Sequence, residues 1–338
     1  MRALRGWPAR IVAVGASLAV LFIGAPASAA VTPPFDLLPA GPAPTTVPYA
    51  IGMRVFYQGH VYTVPGTNSS VVRVQPYHGN TLVSVFNSGS VDYVGSIGII
   101  GPTSAWRSLG SADLPADATL AGQLLKVVEP DEAQVFDTST NRVVARLPVG
   151  KMYGDAKAVG ALALVTGDGF SGSSEVLWDP AKGSTIALSL DSRKYKVAQR
   201  RSPGWLWREL GGGCFARVAV SAPLAAGTRI CNDPAEYSPP LLSFDGTTAV
   251  VVRGGRLVAV VVDSGRVLST GSMAAIVRTA NDSRAVYPVQ WETTSTYLAE
   301  AKWDGQLALV RCRISDGRCE RVVRSFTRTG VSQIVAGW

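Results

Sequence analysis

The sequence predicts an all-β fold, a closed ring of four-stranded blades, and three observations carry that prediction. Runs such as "TTAVVVRGGRLVAVVVDSGRVLS" are rich in β-branched residues, break every five to eight residues at Gly, Asp or Ser, and lack a sustained helical period. Three strand-turn-strand units end their first strand on an aspartate, and those residues, Asp137, Asp179 and Asp263, are separated by 42 and 84 positions. A fourth unit falls where that period requires it, around Ser221 in "CFARVAVSAPLAAGTRIC". A repeat of about 42 residues and four short strands is the size of one propeller blade. Residues 50–338 therefore hold a single propeller of seven blades, with six as the alternative count. An isolated four-stranded sheet cannot bury both faces, so neighbouring blades must supply the other half of each apolar layer.

The segments follow in chain order. "MRALRGWPAR" carries three arginines, Ile11 to Ala25 is a continuous apolar run, and Ala27-Ser28-Ala29 fits a small-residue cleavage site. Residues 1–29 read as a secretory signal peptide, which implies a secreted or extracytoplasmic protein, with an uncleaved anchor as the alternative. Residues 30–49 contain six prolines and read as an extended spacer without hydrogen bonds of its own. Without the signal the chain has 29 basic and 24 acidic residues, too mild an excess to argue for nucleic acid. Within the ring, turns recur at Gln58-Gly59-His60, Asn87-Ser88-Gly89, Pro130-Asp131-Glu132, Gly167-Asp168-Gly169, Gly211-Gly212-Gly213, Arg253-Gly254-Gly255 and Trp303-Asp304-Gly305. The apolar C-terminal "VSQIVAGW" is the candidate strand to complete a blade begun by amino-terminal residues.

The Asp-x-x-x-Gly hairpins, "SFDGTTAVVVRGGRLVAVVV" (243–262) and "QWETTSTYLAEAKWDGQLALVRC" (290–312) resemble secreted bacterial β-propellers with WD-repeat-like or TolB-like blades. The resemblance covers the last two thirds of the chain well and Ile51 to Leu125 poorly. There is no Gly-His opening with Trp-Asp closing, and no Asp box. What the resemblance implies is architecture, because function varies widely among such rings.

Four cysteines in an exported chain suggest two disulfides, with three pairings open. Two positions opposed in a hairpin are equidistant from its turn. Cys312 and Cys319 flank a turn centred between Ser315 and Asp316, while Cys214 and Cys231 flank one centred between Ala222 and Pro223. Opposed residues bring Cβ atoms to about 4.5–5.5 Å, close to disulfide geometry, so these two pairs are expected.

Catalytic chemistry has little to work with. His60 and His78 are the two histidines, both in turn-rich segments, and "GDGFSGSS" (167–174) lacks the order of a nucleophile elbow. No Walker or dinucleotide glycine pattern occurs, and no metal-ligand spacing, so neither cofactor nor metal is expected. "GWLW" puts Trp205 and Trp207 on one side of a strand, either filling the wedge between blades or stacking on a sugar. The basic stretch 193–201 reads as a solvated charge run or a contact for an anionic polymer.

The expected function is a noncatalytic, monomeric binding or scaffold module at the cell envelope, with an envelope protein or cell-wall polymer as partner. Its expected contact face carries His60, Asp131, Glu132, Asp168, Arg253, Trp303 and Asp304, all in inter-strand turns. The alternative is an extracellular glycan hydrolase or lyase using turn carboxylates, which would need two carboxyl groups roughly 5–10 Å apart.

Overall fold

A computed structural model describes residues 34–336, except 67–68, 88–94, 113–116, 119–122, 129–131, 141, 151–154, 168–169, 171–173, 190–193, 199–203, 234–237, 275–283, 304 and 327–333. The expected signal peptide, residues 1–29, lies outside the described residues.

The chain forms seven four-stranded antiparallel sheets, so the count of seven holds over six. The first blade is assembled from both ends of the sequence. Strands β1 (Tyr49–Ile51), β2 (Arg54–Tyr57) and β3 (His60–Thr63) pair in order, and β28 (Ile334–Ala336) pairs with β1. The second blade is β4 (Ser69–Tyr77), β5 (Asn80–Asn87), β6 (Gly95–Gly101) and β7 (Ser104–Ala112). The third is β8 (Asp117–Ala118), β9 (Leu124–Val128), β10 (Glu132–Asp137) and β11 (Arg142–Pro148). The fourth is β12 (Asp155–Val159), β13 (Leu162–Thr166), β14 (Glu175–Asp179) and β15 (Ser184–Ser189). The fifth is β16 (Tyr195–Val197), β17 (Trp205–Gly211), β18 (Cys214–Ala219) and β19 (Thr228–Cys231). The sixth is β20 (Leu241–Leu242), β21 (Thr248–Arg253), β22 (Arg256–Val261) and β23 (Val267–Ala274). The seventh is β24 (Arg284–Trp291), β25 (Thr296–Trp303), β26 (Gln306–Arg313) and β27 (Cys319–Phe326).

Strands that open adjacent blades approach one another, β28 with β4, β8 with β12, β12 with β16 and β20 with β24, so each sheet runs outward from the axis. Because neighbouring strands alternate in direction, turns joining a blade's second and third strands emerge at one end of the ring. Turns joining first to second and third to fourth emerge at the other. The aspartates of the 42-residue period all sit at third-to-fourth turns, where Asp137 Oδ1 accepts from Ser139 N at 2.8 Å and Asp179 Oδ1 from Ala181 N at 3.1 Å, while Asp263 Oδ1 accepts from Arg217 Nη2 at 2.6 Å. At Asp137 and Asp179 the repeat visible in the sequence is a local turn requirement, a side-chain acceptor for backbone donors.

Seven clusters of buried apolar side chains fill the seven joints between blades among the described residues. Side chains alternate across a strand, so each strand feeds two joints. In β21, Ala249 and Val251 pack toward Trp207 and Phe215 of the fifth blade, while Val250 and Val252 pack toward Trp291 and Tyr297 of the seventh. Both faces are buried, which is why these strands read as continuous apolar runs rather than alternating ones.

Residues 30–49, expected as a spacer, take a different place over their described part. A short 3-10 turn (Pro34–Leu37) tucks Phe35, 1% exposed, into the cluster between the sixth and seventh blades. Ala40 then forms a parallel bridge with Arg321 on the outer edge of β27. Gly41 N donates to Arg321 O at 2.9 Å and Arg321 N to Pro39 O at 2.8 Å. A proline-rich segment leaves its carbonyls without internal partners, and here the open edge of β27 and the Arg311 guanidinium, 3.1 Å from Pro42 O, use them. Asp36 anchors the strap through Arg321 and, at 2.8 Å, Arg324.

Both disulfides join directly paired residues of a third and fourth strand. Cys214 pairs with Cys231 at a Cα separation of 4.0 Å, and Cys312 with Cys319 at 4.1 Å. Each fixes the register of an outer strand, which a one-residue slip would turn inside out.

Candidate functional site

The turns joining second and third strands bring three of the four described residues of the expected contact face to one end of the ring. Glu132 opens β10 there, Arg253 closes β21 and Trp303 closes β25. Asp131, Asp168 and Asp304 lie outside the described residues. His60 does not join Glu132, Arg253 and Trp303. It opens β3 and sits in the turn between the third and fourth strands of the first blade, at the opposite end. The reason is topological: that blade takes its first strand from the C-terminus, so a count along the sequence is one strand short.

The side chains of this end are held singly rather than as a convergent group. Glu132 accepts from Gln134 Nε2 at 2.7 Å and pairs with Arg146 at 3.0 Å, an exposed partner, so the pair contributes little to stability. Arg253 donates from Nε to Cys231 O at 3.2 Å. Its turn is fixed from the neighbouring blade, where the Asp233 carboxylate accepts from Gly254 N and Gly255 N, each at 3.0 Å. Gly254 and Gly255 have φ of 56° and 63°, the left-handed region that disfavours a Cβ. Trp303 packs against the apolar cluster between the sixth and seventh blades. Among the described residues no group of three or more His, Cys, Asp and Glu could hold a metal ion.

The two tryptophans of "GWLW" both face the sixth blade. Trp207 is fully buried, with Nε1 donating to Pro240 O at 2.8 Å. Trp205 is partly buried against the same cluster, with the Arg217 guanidinium 4.5 Å over its ring. Arg217 reaches on to Gly246 O and to Asp263 at 2.6 Å, latching the fifth blade to the sixth. These rings fill the wedge.

The opposite end carries a feature that sequence reasoning did not assemble, a cleft of about 650 Å³ between the second and third blades. Tyr77, Ile99 and Thr138 are among its lining, and the Tyr77 hydroxyl lies 2.7 Å from Thr138 Oγ1. One wall is a closed polar knot in which Asn80 Nδ2 donates to Thr103 Oγ1 at 2.7 Å and to His78 O at 3.2 Å. The other wall is the Asp137 turn. Four hydrogen bonds from Ser139 and Thr140 hold the Asp137 carboxyl well below the usual carboxylate range, at about 2. Arg107 completes the lining, with Nη1 donating to Thr138 O at 3.1 Å. The one local signal was "YHGN", where His78 takes a φ of 45°, rare outside glycine.

No family model matches this chain, and no curated protein matches it. Solved structures do match in outline. The β-propeller domain of Myceliophteria thermophila Cps50 (Swd1) aligns at 10% identity over 79% of this chain and 89% of that one, with a TM-score of 0.48. Kluyveromyces lactis Hsv2 aligns at 12% identity over 73% and 75%, with a TM-score of 0.45. The C-terminal WD40 domain of Sif2 aligns at 8% identity over 88% of each chain, with a TM-score of 0.49. Two of these are named as a β-propeller domain and a WD40 domain, and the narrower resemblance to secreted bacterial TolB-like propellers is withdrawn. The expected secreted or extracytoplasmic location and the signal-peptide assignment behind it are withdrawn with it. Asp-capped hairpins and β-branched runs are dictated by ring geometry and carry no address. The chain is an all-β, seven-bladed β-propeller of four-stranded antiparallel sheets, and its likeness to these structures is one of fold.

Proposed function

We propose that this chain is a noncatalytic WD40-like scaffold that binds other proteins through the end carrying Glu132, Arg253 and Trp303. The observation that carries the reading is the immobilised Arg253 turn. Asp233 and the Cys231 carbonyl fix it from the next blade, so a charged group is presented without the entropy loss of ordering a loop on binding. Opposite charges on separate turns, Glu132 and Arg253, suit selection among partners by electrostatic complementarity. Of the turn carboxylates that a glycan hydrolase or lyase would use, Glu132 is engaged by Gln134 and Arg146.

The test is cross-linking mass spectrometry on the intact chain bound to partners captured from its native cell extract. Cross-links should map to the second-to-third-strand turns, and the double variant Glu132→Lys, Arg253→Glu should lose those partners while keeping its melting transition. Cross-links confined to the opposite end, or capture unaffected by the double variant, would sink the proposal.

A further inference from the structure

We propose that the cleft between the second and third blades binds a neutral saccharide. Its volume, about 650 Å³, is in the range of small-ligand sites, roughly 300–1,000 Å³. The chemistry of the lining decides the ligand class. Arg107 is a fixed cation with five N–H donors, one of which is engaged on Thr138 O among the described residues. Asp137 is a fixed anion: its Oδ1 accepts three donors from Ser139 and Thr140, and its Oδ2 accepts one, from Thr140 Oγ1 at 2.9 Å. The two charges are close enough to act in opposite senses on the Tyr77 phenol.

A phosphate or carboxylate entering the cleft would meet Arg107 but be repelled by Asp137, and an ammonium group would meet the reverse. A ligand that satisfies both must donate at one point and accept at the next without carrying charge. Neighbouring hydroxyl groups do so, since each hydroxyl both donates and accepts. One hydroxyl of a vicinal pair donates to Asp137 Oδ2 while the other accepts from Arg107, and Ser104 and Ser139 extend the array. The wall opposite Asp137 is preorganised, because Asn80, itself 7% exposed, locks Thr103 through both amide atoms. This site lies at the end of the ring opposite the proposed protein-binding turns and stands independently of them.

The experiment is saturation-transfer NMR on the full chain with cellobiose, maltose and N,N′-diacetylchitobiose at millimolar concentration, with inorganic phosphate as competitor. At least one sugar should receive saturation. Arg107→Met should weaken its binding by about tenfold, the loss expected for one hydrogen bond from a charged donor. Ser104→Trp, which fills the cleft from a strand end, should abolish the signal, and Arg253→Ala at the far end should leave it unchanged. If Arg107→Met loses its melting transition, Ser104→Trp carries the test alone. No transfer to any of the three sugars, transfer that survives Ser104→Trp, or displacement by phosphate would each overturn the proposal.

Discussion

Two joints of the ring solve the same problem with different chemistry. Between the fifth and sixth blades, where the chain passes directly from one sheet to the next, apolar packing is overlaid by side-chain latches. Trp207 bonds Pro240 O, Arg217 spans Trp205, Gly246 and Asp263, and Asn232 Oδ1 accepts from Val252 N at 2.9 Å. The first blade closes the ring by pairing, within its own sheet, residues nearly 300 positions apart. Inside that sheet Tyr49 stacks on Phe56 at 4.7 Å, and three residue pairs, Tyr49 with Ala336, Ala50 with Val335 and Ile51 with Ile334, bind the two ends of the chain, while apolar clusters join the blade to its neighbours. The difference teaches where the ring is vulnerable. A latch within a continuous stretch is redundant with chain connectivity, whereas the closing strand has no covalent substitute.

Removing residues 334–338 should therefore have the largest effect: loss of a cooperative thermal transition by calorimetry, because the first blade loses its innermost strand and β4 its neighbour. A truncated chain that melts like the full one would place closure elsewhere. At the latched joint, Trp207→Ala should cost about 3–5 kcal/mol in denaturant unfolding, from the cavity and the orphaned carbonyl, with cooperativity retained. A non-cooperative Trp207→Ala transition would mean that the latched joint, and not the closing one, holds the ring together. Arg217→Met should cost less, about 1–3 kcal/mol, since its buried fork bonds Gly246 O but its partner Asp263 is 68% exposed.

The smallest effect is one of pH. Folding depresses the Asp137 carboxyl to about 2, so its contribution is present above the ordinary carboxylate range and is lost as pH falls from about 4 toward 2. Between those values Tm should drop more in the wild type than in Asp137→Asn, which has no charge to lose. Equal slopes would show that the Asp137 turn does not couple to folding.

The period of Asp137, Asp179 and Asp263 was legible because all three stand at third-to-fourth turns, two of them as acceptors for the turn's own backbone donors. The disulfide partners followed from hairpin register for the same reason: opposed positions are fixed by local geometry. The C-terminal apolar run was legible as the strand that completes the first blade, but its effect on the order of strands there did not show in the count of turns. That displaced His60 to the wrong end of the ring, because Gln58-Gly59-His60 has the same turn chemistry as the turns across the molecule. The cleft was illegible for a further reason. Its walls come from residues 77–80, 103–107 and 137–139, three turns on two sheets, each of which reads alone as an ordinary surface turn.

The alternation along β21 has a consequence for how such a sequence changes over time. Val251 answers to Trp207 and Phe215, whereas its immediate neighbours Val250 and Val252 answer to Trp291 and Tyr297. Adjacent codons are thus under the influence of different blades, and residues two apart under the same one. Substitutions in this ring should covary in two interleaved sets that ignore proximity in the chain, so each blade is constrained by both neighbours at once.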